Sequence, residues 1–467
     1  MQLTLQIVIT DESGMSRTEE LMTLHKSGGG RNDIGLSISE SKQLLNTAQQ
    51  SVVQLQADEY THRHIPCPHC LAARRIKGRQ KIQYRTLFGV IPVSGLRVYR
   101  CHCEESATKT VSLLSDWAGD LTHPSLKYIE TRWASMISYE MTTRLLKDIL
   151  PVGHRLNAST VKNHLCQVAQ RLDAESESHS GFLSGCPRDW GNLPRPGKPL
   201  VVGIDGGYVR DRDDKKRNFE IIAGKSFSVG TPKDTRRFGF VQKDDCHPER
   251  RLMAHLSAQG MQANQQVFFL SDGADNLREL QFGMYPESFH VLDWFHITMR
   301  LTVLMQYAKG LQASDPETGC RVSERLESSK RYLWHGNFVA ALEHIDDCVM
   351  YCDDPELSYA GLKSLKKHLD EMYTYIRNNK MMIPNYGEMH RYGEPVSTAF
   401  VESTINEVIA RRMAKKQQMQ WSRKGAYYLL QTRTAVLNNE LQDKFACWYP
   451  GFSMDEECEG KASAMAA

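Results

Sequence analysis

The chain has 467 residues, 41% of them apolar and 24% charged, which excludes a wholly disordered or collagen-like polymer and predicts several folded units. Lys and Arg total 58 against 55 for Asp and Glu, a net charge of only +3. No run of about 18 apolar residues occurs, so no membrane-spanning helix or membrane partner is expected.

Met1 to Thr10 alternates apolar and polar residues and reads as a strand rather than a secretory signal. Twelve cysteines include two tight pairs, and the other eight are scattered through segments that read mostly as core or helix. That usage predicts a reduced, cytoplasmic (nucleoid-associated) protein rather than a disulfide framework. Residues 1–60 form an N-terminal strand and helix region, in which Ser37 and Glu40 fit a capping box.

Residues 61–104 read as turns and short strands forming a zinc-ribbon-like module. Cys67-Pro-His-Cys70 and Cys101-His-Cys103 present two close thiolate pairs that can complete one tetrahedron around a structural zinc, with His64, His69 or His102 as alternative ligands. Between 61 and 100 there are nine Lys or Arg and no acid, a block suited to phosphates through Arg74, Arg75, Lys77 and Arg79.

Residues 105–186 read as helical and as a helix-turn-helix candidate. A helix over Tyr139–Leu150 is broken at Pro151-Val-Gly153, and a second begins at Asn157 or Ser159. Ser159, Thr160, Lys162, Asn163 and His164 are expected to face outward, with Lys162 and Asn163 as DNA contacts. Residues 187–199 hold four prolines and read as a linker.

Three strands (from Leu200, Phe219 and Phe238), a helix, the strand Val267–Leu270, a short helix and the strand Phe289–Leu292 are expected over 200–296. Asp205 and Asp272 each end an apolar strand and precede glycine, a placement suited to binding a cation. The stretch 297–395 is predicted as a helical insertion, and 396–445 as final helices carrying Glu402. Glu402, Asn406 and Ile409 are expected on one helical face. Three converging acids can hold two magnesium or manganese ions about a scissile phosphate. Asp293-Trp-Phe-His296 ends another strand, and Asp293, His296 and Asn406 are expected to support the site. Over 408–439 there are seven basic residues and no acid, predicting DNA contact by Arg411, Arg412, Lys415 and Lys416. Residues 446–467 form an acidic tail.

These residues resemble a known family. Asp205-Gly-Gly, Ser271-Asp272-Gly-Ala-Asp-Asn, Asp293-Trp-Phe-His and Glu402-Ser-Thr-Ile-Asn resemble the D-D-E transposases of bacterial insertion sequences, most closely the ISKra type. The Gly35-Leu-Ser-Ile-Ser-Glu-Ser-Lys segment, the cysteine pairs flanking Tyr84-Arg-Thr-Leu-Phe-Gly, and Trp421-Ser-Arg-Lys-Gly-Ala fit the same pattern. The resemblance implies a multi-domain α+β protein with a ribonuclease-H-like α/β core interrupted by an all-helical insertion. It further implies cleavage at the ends of a mobile element and joining of the freed 3′-hydroxyl to target DNA, with Asp205, Asp272 and Glu402 as the acids. The partners expected are double-stranded DNA and, because two ends must be paired, further copies of the chain. The alternative weighed is a catalytically retired, transposase-derived DNA-binding regulator. A zinc-bearing nuclease that only hydrolyses is a third.

The net charge of +3 is therefore a cancellation: residues 1–60 carry −4, 61–100 +9, 408–439 +7 and 440–467 −4.

Overall fold

The computed structural model describes residues 1–10, 14–27, 30, 34–103, 108–177, 186–241, 248–285, 287–397, 399–414 and 419–454. The chain divides into two compact units, one of residues 1–168 with 439–467 and one of residues 169–438. It is α+β, and no described helix is long and apolar enough to cross a membrane.

In the first unit the strand expected at the N-terminus, β1 (Gln2–Thr10), pairs antiparallel with β2 (Ser16–His25). Helix α1 (Ile38–Arg63) starts at the predicted capping box: Glu40 N–H donates to Ser37 Oγ at 3.2 Å and Ser37 N–H to Glu40 Oε2 at 2.7 Å. Strands β3 (Ile76–Thr86), β4 (Gly89–Tyr99) and β5 (Thr110–Ser112) form an antiparallel sheet. Val53 and Ala57 of α1 are buried with Ile91, Val93 and Leu114, so this sheet shares a core with the N-terminal helix. Four helices follow, α2 (Leu114–Ala118), α3 (Pro124–Met136), α4 (Tyr139–Ile149) and α5 (Ala158–Glu177), the last running on into the second unit.

The second unit opens with α6 (Pro187–Trp190), inside the segment expected to be linker only. Its sheet uses β6 (Leu200–Asp211), β7 (Asn218–Ser228), β8 (Thr231–Val241), β9 (Val267–Ser271) and β10 (Phe289–Leu292), with α7 (Pro248–Ala258) and α8 (Asp275–Met284) between them. The order is β10-β9-β6-β7-β8; β6, β9 and β10 run parallel, and β7 runs antiparallel to β6 and β8. Side chains alternate across a strand. Leu200, Val202 and Ile204 therefore face α7 and α8, while Val201, Phe268, Leu270 and Val291 join the core of the helices that follow.

The stretch expected to be helical holds α9 (Trp294–Ser314), α10 (Pro316–Trp334), α11 (Phe338–Cys352), α12 (Leu362–Asn379) and α13 (Tyr386–Arg391). Helix α14 (Ala399–Ile405) packs across β6 and β7 and continues as a π-helix, Asn406–Ala414. The short β11 (Gln420–Trp421) pairs parallel with the end of β6, and α15 (Arg423–Leu437) packs on β8. The last helix, α16 (Leu441–Trp448), belongs to the first unit, where Phe445 and Phe452 each meet the ring of Tyr128 at 5.3 Å. Residues 441–452 are thus part of a folded unit, which corrects the expected boundaries at 445 and 446.

Candidate metal centre and carboxylate site

Strands β3 and β4 form one long hairpin, so the chain just before β3 and just after β4 lies side by side: Tyr99 N–H donates to Arg75 O at 2.8 Å. Each of these flanks carries a cysteine pair. The first pair sits on a knuckle closed by Leu71 N–H to Cys67 O at 2.9 Å, with Leu71 in the left-handed region at φ 61°. The four Sγ atoms of Cys67, Cys70, Cys101 and Cys103 all lie within 4.8 Å of one another. Three of the separations, Cys67–Cys103, Cys70–Cys101 and Cys70–Cys103, are 3.4, 3.4 and 3.7 Å. A tetrahedral zinc with bonds of about 2.3 Å spaces its sulfurs about 3.8 Å apart. The cluster could therefore hold one structural zinc by slight expansion, and the set is complete without a histidine. His64 is committed elsewhere, with Nδ1 2.8 Å from Tyr60 O and its ring stacked on Tyr60 at 3.9 Å.

The acids of the second unit are set by strand register. Gly203 pairs with Leu270 and Ser271 with Leu292. Carrying these ladders forward sets Asp205 opposite Asp272, and Asp272 opposite Asp293, in one row across three adjacent parallel strands. All three occupy positions of the sheet face that meets the helical insertion.

Asp205 Oδ1 accepts from Gly206 N–H at 2.7 Å. Burial pushes its carboxyl up, the Gly206 N–H and His296 act against that, and the charges of Asp272 and Asp293 add to it. Asp272 Oδ1 accepts from Ala274 N–H at 3.0 Å, and its carbonyl accepts from the Tyr375 hydroxyl at 3.0 Å. The glycine after Asp272 is required, because Gly273 has φ 85° and an added Cβ would lie 2.6 Å from Asn379 Oδ1 and 2.7 Å from Leu292 Cδ1.

Asp293 is fully buried and does two things. It caps α9 by accepting from Phe295 N–H at 2.9 Å, and Oδ2 pairs with His296 Nδ1 at 2.7 Å. Burial works against charge on His296, but the Asp293 hydrogen bond and the charges of Asp293, Asp205 and Asp272 together raise its pKa. His296 sits beside three acids, whose charges favour its protonated form.

The two glycines after Asp205 clear opposite faces of β6. An added Cβ at Gly207 would lie 2.8 Å from Ile409 Cδ1 and 3.5 Å from Ile405 Cγ2, so this glycine lets the α14–π-helix segment close onto the strand. An added Cβ at Gly206 would lie 2.6 Å from Glu220 Oε1. Glu220, which also accepts from Asn276 Nδ2 at 3.4 Å, was not singled out by sequence reasoning; the glycine at 206, directly after Asp205, was its only trace. Glu402 lies in α14 one turn before Ile405, and its side chain is outside the described residues. The π-helix alters the expected alignment: Ile405 and Ile409 approach the strand, in place of an unbroken Glu402, Asn406, Ile409 α-helical face. Among the described residues, no metal-sized group of three donors forms outside the four cysteines.

The proposed DNA contacts separate by burial. Lys77, Arg79, Arg75, Asn163 and Arg411 are exposed, and Lys162 is half-buried. Arg79 reaches Asp58 at 3.6 Å and Arg75 lies over the Tyr99 ring. Arg74 donates to Ile65 O and His64 O at 3.0 and 2.6 Å, so it staples the knuckle. Arg412 is only 4% exposed and lies over the Trp421 ring at 5.1 Å, which removes it as a surface contact. Arg433 is also buried and donates to Val408 O at 2.8 Å and to Glu407 O, holding carbonyls of the π-helix. His164, expected to face outward, is buried against Glu130 of α3. Asn157 caps α5 as expected, accepting from Thr160 N–H at 2.9 Å. Lys415 and Lys416 lie outside the described residues.

Compared with known proteins, the chain matches no family model and no curated protein.

Proposed function

We propose that the chain is a D-D-E transposase, resembling the ISKra type, that cleaves DNA at the ends of a mobile element and joins the 3′-hydroxyl to target DNA. The observation that carries this reading is the register placing Asp205 and Asp272 side by side on the sheet face crossed by the helix of Glu402. The sheet order supports a ribonuclease-H-like core: beside the two-residue β11, it has five strands with the first at the centre and only the second antiparallel to it.

In this reading Asp205, Asp272 and Glu402 would hold two magnesium ions, which would supply activation of a water or 3′-hydroxyl and charge stabilisation of the leaving oxygen. The chain's own residues do the positioning. Gly206 N–H orients the Asp205 carboxylate, Ala274 N–H orients that of Asp272, and Tyr375 anchors the backbone of Asp272. His296, fixed by Asp293, balances acid charge that would otherwise repel a phosphate. The zinc knuckle and the exposed cations Lys77 and Arg79 supply contact with the DNA backbone.

The test is strand cleavage and joining on DNA bearing candidate element ends, with magnesium. Wild-type protein is expected to perform both steps, and Asp205→Ala, Asp272→Ala or Glu402→Ala to abolish both while binding survives. Binding without cleavage by the wild-type chain in magnesium or manganese would leave a DNA-binding regulator instead.

A further inference from the structure

Exposed sheet edges are pairing templates, and proteins guard them with charge, proline or brevity. Most edges of this chain follow that rule. Strand β3, whose one strand partner among the described residues is β4, carries Lys77, Arg79, Lys81 and Arg85; β10 is four residues long; β8 contains a proline and four charged residues. Strand β1 does not. Its nine residues, Gln-Leu-Thr-Leu-Gln-Ile-Val-Ile-Thr, include no charge and no proline, and among the described residues it pairs with β2 alone.

Half of the hairpin is also poorly covered by the described residues. Near its base Met22 and Leu24 are buried, and Lys26 ties Glu40 of α1 at 2.7 Å. Towards the turn Ile7 and Ile9 are half-exposed and Val8 is 64% exposed. A two-stranded sheet of this kind is marginal in water, whereas three or more strands with an apolar face are stable.

We propose that β1 is a homodimerisation edge, pairing antiparallel with β1 of a second copy about a two-fold axis at Ile7 to make a four-stranded sheet. The occupant is argued from the strand's own symmetry. An axis at Ile7 sets Leu5 opposite Ile9 of the partner subunit, Thr4 opposite Thr10 of the partner subunit and Gln6 opposite Val8 of the partner subunit. Leu5, Ile7 and Ile9 of both copies then form one apolar row. The Thr pairs fall on the other face, and no like charges oppose each other because β1 has none. The free edge of β2, with Arg17, Glu19 and Glu20, remains outermost and charged.

The full chain should sediment as a concentration-dependent dimer. Ile7→Lys, which places two ammonium groups opposite each other on the axis, should weaken dimerisation about tenfold or more without changing the melting of either unit. Exposed positions give a second pair of variants that leave the hairpin's packing intact. Gln6→Lys with Val8→Glu sets opposite charges across the axis and should tighten the dimer; Gln6→Lys with Val8→Lys should weaken it. A monomeric wild-type chain at tens of micromolar, or a dimer indifferent to all three variants, would overturn the proposal.

Discussion

The four-cysteine centre and the carboxylate row are assembled in different ways. The cysteines are close in sequence to the two ends of one hairpin, so local pairing alone brings the four sulfurs within 4.8 Å. Asp205, Asp272 and the helix of Glu402 come from positions up to 197 residues apart in sequence, and they share one sheet face only when the sheet has formed and α14 has closed on β6. The difference teaches what each site depends on. A metal would complete the first, whereas tertiary packing would have to complete the second.

Removing the metal should give the largest effect. A structural zinc in a small module contributes on the order of 10 kcal/mol of apparent binding energy. Chelation or Cys67→Ser should release zinc and lower the melting temperature of the first unit, leaving that of residues 169–438 unchanged, as read by calorimetry with metal analysis. An unaltered first transition would show the hairpin standing on its α1 packing alone.

The mirror experiment is Asp272→Asn. It should reduce strand cleavage about a thousandfold, the scale of losing metal-assisted charge stabilisation, with zinc content and both transitions retained. A loss of zinc would link the two sites.

Backbone support of the carboxylate row comes next. Arg433→Met leaves the carbonyls of Glu407 and Val408 without their donor and should cost about 1–3 kcal/mol in the second unit. Gly273→Ala forces a side chain into a left-handed position against Asn379 and should cost about 1 kcal/mol or more while displacing Asp272. Urea denaturation measures both, and stability equal to wild type in either would remove that residue from the account.

The smallest effect is a difference in pH response. In the second unit burial lowers the pKa of His290 to about 4, with Arg278 adding to it, and that of His255 to about 3, with Arg236 adding to it. The unfolded chain takes up these protons near pH 6.5 and the folded chain only near 4 or 3, so stability falls as pH falls below 6.5. In the first unit Glu40 is held at about 2 by hydrogen bonds from Lys26 and Ser37. Its contribution is present above pH 4.5 and is lost only as pH falls towards 2. Melting scans from pH 7 to 5 should therefore lower the second transition more than the first, and His290→Asn should flatten the slope.

Local signals were legible in the sequence. Ser37 and Glu40 cap α1, the cysteine pairs cluster, and Asp272 directly follows the buried strand β9 before glycine, because each depends on neighbours or on simple alternation. Asp205, expected at a strand end, instead lies inside β6, which stays paired with β7 beyond it and runs to Asp211. What was hidden depended on burial. Arg412, Arg433 and His164 count as surface charge in a sequence, yet each is enclosed by an element distant along the chain or by the local π-helix turn. Strand β2 was missed because Arg17-Thr-Glu-Glu has no apolar alternation. The π-helix was missed because an inserted helical residue leaves no mark on spacing until the helix meets its strand.

The central claim is that Asp205, Asp272 and Glu402 surround one metal site. Ferrous iron with ascorbate, placed in that site, cuts a polypeptide only beside the bound ion. The account predicts fragments ending near 205, 272 and 402 together, suppressed by excess magnesium and all lost in Asp205→Asn. Cleavage near one of the three alone, or cuts near 402 that persist in Asp205→Asn, would contradict it.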